Sequence, residues 1–156
     1  MIAPLASMSV ADEFDSGIGA VPLHMTVLTK VPVARDRSAA VAAAVRGIAA
    51  TTAPVSIVAS GRAGFGHGGA VQVTTVEMSD QLRRLHSRLL NDVCRAGADL
   101  VHPVYSGDGY RPHVSDTHDG QLINPGDQLV LTTLAILDCT RPARQLVDKV
   151  ALAGAM

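Results

Sequence analysis

Two stretches of the 156-residue chain repeat apolar residues at helical spacing. From Ser38 to about Thr51, Val41, Val45 and Ile48 recur at intervals of four and three in an Ala-rich background. From Asp80 to about Ala96, Leu82, Leu85, Leu89 and Val93 form one stripe, and Arg83, Arg84 and Arg88 fall on other faces. Ser79 or Asp80 can cap the start of this second helix, because a short side-chain oxygen there accepts from an otherwise orphaned backbone N–H. Gly97 can end it.

The remaining apolar segments predict strands: Met25–Val33, Val55–Ser60, Ala70–Met78, Pro112–Thr117, Leu129–Asp138 and Gln145–Leu152, with Ile2–Val10 as a further one. In one of them Val71, Val73 and Thr75 alternate with Gln72, Thr74 and Val76, a period of two. Gly-rich turns separate the segments: G-R-A-G-F-G-H-G-G at 61–69, S-G-D-G at 106–109 and N-P-G-D at 124–127. The predicted order is β-β-α-β-β-α-β-β-β, an α/β chain whose two halves have similar patterns. A single domain spanning residues 1–156 is expected at this length.

Composition narrows the function classes. An apolar fraction of 47% supports a packed core, and a net charge of −1 provides no basic field to hold a long nucleic acid. Cys94 and Cys139 are too few for a disulfide framework and match no metal-ligand spacing. The first residues lack a basic n-region, and no apolar run approaches the roughly 20 residues of a membrane helix. These features predict a cytoplasmic protein without a membrane segment.

Chemistry concentrates in two short stretches. Residues 22–28 read P-L-H-M-T-V-L and residues 110–117 read Y-R-P-H-V-S-D-T. In each, a histidine precedes a hydroxyl residue by two positions: His24 with Thr26, and His113 with Ser115. In a strand, residues two apart share a face, so each histidine shares its face with a hydroxyl, and Met25 and Val114 point the other way into apolar packing. Given six histidines and the abundance of Ser and Thr, about one such pair is expected by chance. The count carries little weight. The placement carries more, with one pair per half, each at the start of a predicted strand shortly after a proline.

These two motifs, in this strand–helix order, resemble the paired H-x-[ST] motifs of the 2H phosphoesterase superfamily. Its members include RNA 2′,3′-cyclic phosphodiesterases, the proteins called 2′-5′ RNA ligases, and phage enzymes that cleave cyclic-oligonucleotide immune signals. The resemblance implies a bilobal fold, two antiparallel sheets flanking a central cleft with helices outside. It implies His24 and His113 as an acid–base pair, with Thr26 and Ser115 hydrogen-bonding the non-bridging phosphate oxygens. Ser115 stands where Thr is common, and either hydroxyl can donate. Histidine suits both proton-transfer roles because its ordinary pKa lies near 6.5. No metal or cofactor is called for. The expected substrate is a small nucleotide phosphodiester, either a 2′,3′-cyclic phosphate end or a cyclic oligonucleotide. The alternative is a catalytically silent module that sequesters such a nucleotide.

Other candidates are secondary. Tyr105, Tyr110 and Arg111 precede the second motif in a Gly-rich segment; the tyrosines are candidates for stacking on a base and Arg111 for reaching a phosphate. Gly64 to Gly69 formally match G-x-G-x-x-G but run into a strand-like segment, which predicts a hairpin loop whose Phe65 or His67 could border the cleft. His113, Asp116 and His118 lack a recognised metal-ligand spacing. His86 and His102 are expected to be structural.

Overall fold

The computed structural model describes residues 4–9, 24–28, 31–98, 107–115, 123–138 and 145–153. The elements run β1 (Pro4–Ser9), β2 (His24–Thr26), α1 (Ser38–Ala50), β3 (Val55–Phe65), β4 (Val71–Val76), α2 (Asp80–Arg95), β5 (His113–Ser115), β6 (Gln128–Leu131), β7 (Thr133–Asp138) and β8 (Gln145–Ala151). Both helices fall where the apolar stripes predict them. Ser79 caps α2 by accepting from the Leu82 N–H at 3.1 Å, and Gly97 follows the helix with a φ of 119°.

The strands pair antiparallel throughout, in the order β6-β3-β4-β5-β2-β1-β7-β8. Two four-stranded lobes, β6-β3-β4-β5 and β2-β1-β7-β8, meet at the short strands β5 and β2, whose register pair is Met25 with Val114. The lobes cut across the halves of the sequence. The middle of the chain builds one lobe, and the first and last strands build the other.

Leu129–Asp138, expected as one strand, is two. β6 pairs with β3 and β7 with β1 and β8, at opposite ends of the strand order, with only Thr132 between them. One residue spans at most about 3.6 Å, so the strand order must curl back on itself. The predicted strand Met25–Val33 is likewise shorter. After Thr26 the backbone bends, and Val27, Leu28, Val31 and Val33 enter the core from irregular structure. A short apolar run looks the same in a strand and in a buried bend.

Both helices supply the core over one face. Val41, Val45 and Ile48 of α1 and Leu82, Leu85, Leu89 and Val93 of α2 pack with Met25, Ile57, Val76 and Val114. Each such buried side chain contributes about 1.5–3 kcal/mol. α1 lies against α2, β7 and β8, and Arg46 pairs with Asp148 of β8 through Nε–H at 2.8 Å. Arg83, Arg84 and Arg88 form the predicted exposed face, with Arg88 donating to the hydroxyls of Thr51 and Thr52 at 2.7 and 3.1 Å. Among the described residues no helix is long and apolar enough to cross a membrane.

Candidate active site at the seam between the lobes

The seam carries both motifs. Met25 and Val114 are buried on the helix-covered side, at 0% and 2% exposure. Extending the antiparallel register of this pair by one residue in each direction places position 24 opposite Ser115 and Thr26 opposite His113. Each motif's histidine position therefore stands across from the other motif's hydroxyl, in a two-fold arrangement. By strand alternation all four positions share the face away from the helices. The side chain of His24 lies outside the described residues; its backbone register is defined, opposite Ser9 on β1.

His113 is half-buried, and its Nδ1–H donates to the Arg111 carbonyl at 2.8 Å. That bond orients the ring and leaves Nε2 as the nitrogen available for proton transfer. The Phe65 ring packs against the imidazole with centroids 4.4 Å apart and planes at 63°. Arg111 itself is exposed, one residue before the proline that leads into β5.

Phe65 reaches His113 because of a bulge. The stretch 61–65, expected as part of a loop, continues β3, and the register with β4 shifts between Ala59 and Gly61. Before the shift the odd positions Val55, Ile57 and Ala59 are buried in the core. The extra residue, Ser60, reverses the parity, so Gly61, Ala63 and Phe65 fall on the site face. Only the end of the glycine run makes the turn. Gly66, Gly68 and Gly69 have φ of 77°, 65° and 69°, and a Cβ on Gly64 would sit 2.6 Å from the Gly69 carbonyl oxygen. This is the predicted hairpin, not a dinucleotide loop.

Tyr110 is a correction. It was expected to stack on a base, but it is 8% exposed, its ring stacks on His86 at 4.2 Å with planes 5° apart, and its hydroxyl donates to the Thr26 carbonyl at 2.9 Å. No face is left for a nucleobase. Burial pushes its phenol pKa well above the usual value, so the hydroxyl remains a donor.

His86 is structural, as expected, and its role is specific. At 2% exposure, it donates from Nδ1 to the Val27 carbonyl at 2.7 Å and accepts the Gly107 N–H on Nε2 at 2.8 Å. Both ring nitrogens are satisfied only in the neutral form, and desolvation lowers its pKa, with the Val27 hydrogen bond opposing. His86 and Tyr110 together clip α2 and the segment before β5 onto the end of β2. Both motifs are thereby positioned by one buried stack. The two residues' roles were not legible in sequence, since the partners are backbone groups distant along the chain.

Of the other predicted residues, Tyr105, His102, Asp116 and His118 lie outside the described residues. His67 is exposed in the turn. Among the described residues no cluster of His, Cys, Asp or Glu could hold a metal ion.

The whole chain has structural counterparts. TT0787 of Thermus thermophilus superimposes with a TM-score of 0.67 at 15% identity, covering 99% of this chain and all of that one. A protein described as a phosphoesterase gives a TM-score of 0.59 at 14% identity, over 98% of this chain and 99% of its own. LigT of E. coli, in its complex with NADP+, gives 0.60 at 12% identity, over 97% and 98% of the two chains. At these identities the likeness establishes the fold. No curated protein matches the chain significantly. The family model of the 2′-5′ RNA ligase superfamily matches residues 2–153, a span that includes both histidine motifs and every strand of the two lobes, and the chain belongs to that superfamily, the 2H phosphoesterases.

Proposed function

We propose that this protein hydrolyses a small nucleotide phosphodiester by metal-independent acid–base catalysis at the seam. The observation that carries the reading is the Met25–Val114 register, which sets each motif's histidine position opposite the other's hydroxyl. A phosphate over the seam would lie between the two imidazoles. One histidine, neutral, takes a proton from water as the water oxygen bonds to phosphorus. The other, protonated, delivers a proton to the leaving alkoxide as its P–O bond breaks. Thr26 and Ser115 donate hydrogen bonds to the non-bridging oxygens as charge builds on them. His113 acts through Nε2, because Nδ1 is held by the Arg111 carbonyl. Arg111, exposed beside the site, is available to a second phosphate or to the product monoester.

The substrate is a 2′,3′-cyclic phosphate end or a cyclic oligonucleotide. LigT has been solved with phosphate, with 3′-AMP and with ATP, which supports a nucleotide-sized ligand for this fold. The absence of a basic surplus in the sequence supports a small substrate over a long RNA. Destruction of a cyclic-oligonucleotide immune signal, as by phage enzymes of this superfamily, is one role such an activity would serve in the cytoplasm.

The test is to incubate the protein, with EDTA present, against 2′,3′-cyclic nucleotides and a panel of cyclic di- and trinucleotides, separating products by chromatography. Cleavage is expected, falling by about 10²-fold or more in His24→Ala and in His113→Ala with thermal stability retained. Full activity in either variant would overturn the paired-histidine mechanism. Thermal stabilisation by a panel member without turnover would replace hydrolysis by sequestration.

A further inference from the structure

Beyond the two motifs, the site face carries a second pair of hydroxyls. Thr75 of β4 lies directly opposite His113 in the β4–β5 register, on the side away from Thr26. Its Oγ1 is 2.9 Å from Oγ of Ser60, the residue that the β3 bulge inserts. Thr75 is half-buried and Ser60 exposed. Opposite Thr75 on β3 stands Gly61, where even a Cβ would be 3.5 Å from the Thr75 hydroxyl. A larger side chain at 61 would cover that hydroxyl, and glycine leaves it open.

Two hydroxyls that share one hydrogen bond retain one O–H donor and several acceptor lone pairs. A phosphate oxygen uses only donors. A sugar hydroxyl uses both a donor and an acceptor, and matches what the pair presents. Thr75 stands one strand, about 4.8 Å, beyond His113 on the side away from the seam, so a group held there belongs to the nucleoside and not to the reacting phosphate. Phe65, edge-on to His113, lies farther along the same β3–β4 side. A nucleoside whose phosphate sits over the seam would meet the hydroxyl pair with its sugar and Phe65 with its base.

We propose that Ser60 and Thr75 form a sugar-hydroxyl subsite beside His113, which orients a ribonucleoside over β3 and β4 and discriminates it from the 2′-deoxy form. This rests on the phosphoesterase reading for the position of the phosphate, and the test separates the two. Calorimetry would compare adenosine 3′-monophosphate with 2′-deoxyadenosine 3′-monophosphate on the wild type, Thr75→Val, Thr75→Ser and Ser60→Ala, with thermal unfolding run on each. The wild type is expected to prefer the ribonucleotide about fivefold, the loss of one neutral hydrogen bond. Thr75→Val should bring the ratio close to one, Thr75→Ser should preserve it, and Ser60→Ala should reduce it. If Thr75→Val fails to fold, the exposed Ser60→Ala decides. A wild-type ratio of one, a ratio unchanged in both Thr75→Val and Ser60→Ala, or no binding of either nucleotide would overturn the subsite, even where cyclic substrates are hydrolysed. A ratio that collapses in the variants while no phosphodiester is cleaved would establish the subsite and overturn hydrolysis.

Discussion

A buried imidazole that donates from one nitrogen and accepts on the other can hold its place only while neutral. His86 is in that position, between the Val27 carbonyl and the Gly107 N–H. Its pKa is lowered in the fold from the ordinary 6.5, so the unfolded chain binds its proton more readily. Its contribution to stability is therefore complete above that value and is lost as pH falls through the folded pKa. Thermal unfolding between pH 7.5 and 5 should show a steeper decline in Tm for the wild type than for His86→Gln. Equal slopes would place the linkage on other groups. Tyr110→Phe removes the donor to the Thr26 carbonyl and keeps the ring stack. It should cost about 1 kcal/mol, roughly 2–4 °C in Tm at this chain length. These two residues were the hardest to read in sequence. A tyrosine before a histidine motif looks like a ligand contact when its burial and its partner 84 positions away are unknown. His24, Thr26, His113 and Ser115 stood out in the sequence because strand alternation puts each pair on one face and the two pairs resemble the H-x-[ST] motifs.

At the scale of elements, what could be read depended on whether the signal was local. The α2 stripe and its Ser79 cap are properties of a few consecutive residues, and they predict the helix nearly to its ends. Ser79→Ala should destabilise by about 1 kcal/mol, measurable as a shift in the denaturant midpoint at unchanged slope. The bulge at Ser60 is a property of pairing. Nothing in V-S-I-V-A-S-G-R-A-G-F states that its register with β4 slips by one, and the Gly-rich half read as a turn. The split at Thr132 was hidden for the same reason, since both sides of it are apolar. The bulge also governs the site. Deleting Ser60 would turn the bulge into a regular ladder, with Ala59 opposite Val76 and Gly61 opposite Thr75 as now, and would leave Phe65 on the site face. The expected outcome is that the aromatic ring-current shift on the His113 ring protons in NMR spectra is retained. Loss of that shift in a folded deletion variant would count against the parity account.

For the molecule as a whole, the two lobes touch through their shortest strands. β2 and β5 each contribute three residues to the seam, while β3 and β4 pair along most of their length. Native-state hydrogen exchange should therefore show lower protection at the Met25 and Val114 region than in the middle of β3 and β4. A nucleotide bound across the seam should raise that protection, because it touches both lobes. Met25, with 0% exposure at this junction, is the natural probe of how strongly the lobes depend on each other. Met25→Ala should cost about 2–5 kcal/mol and slow turnover beyond what its stability loss explains.

The single residue between β6 and β7 has one more consequence, for the order in which a growing chain can assemble. The lobe that carries His113 is built from a continuous run, β3 to β6, and all its strands exist once Leu131 has been made. The lobe that carries His24 is built from the two ends. β1 must wait for β7, and β7 for β8, so the first strand synthesised is among the last to find both neighbours. A chain that has emerged from the ribosome only as far as Thr132 would thus hold the second histidine motif on a lobe whose strands all have their partners, and the first on strands still lacking their outer ones. The two histidine motifs are assembled at different times, and the emergence of Thr132 is the point that divides them.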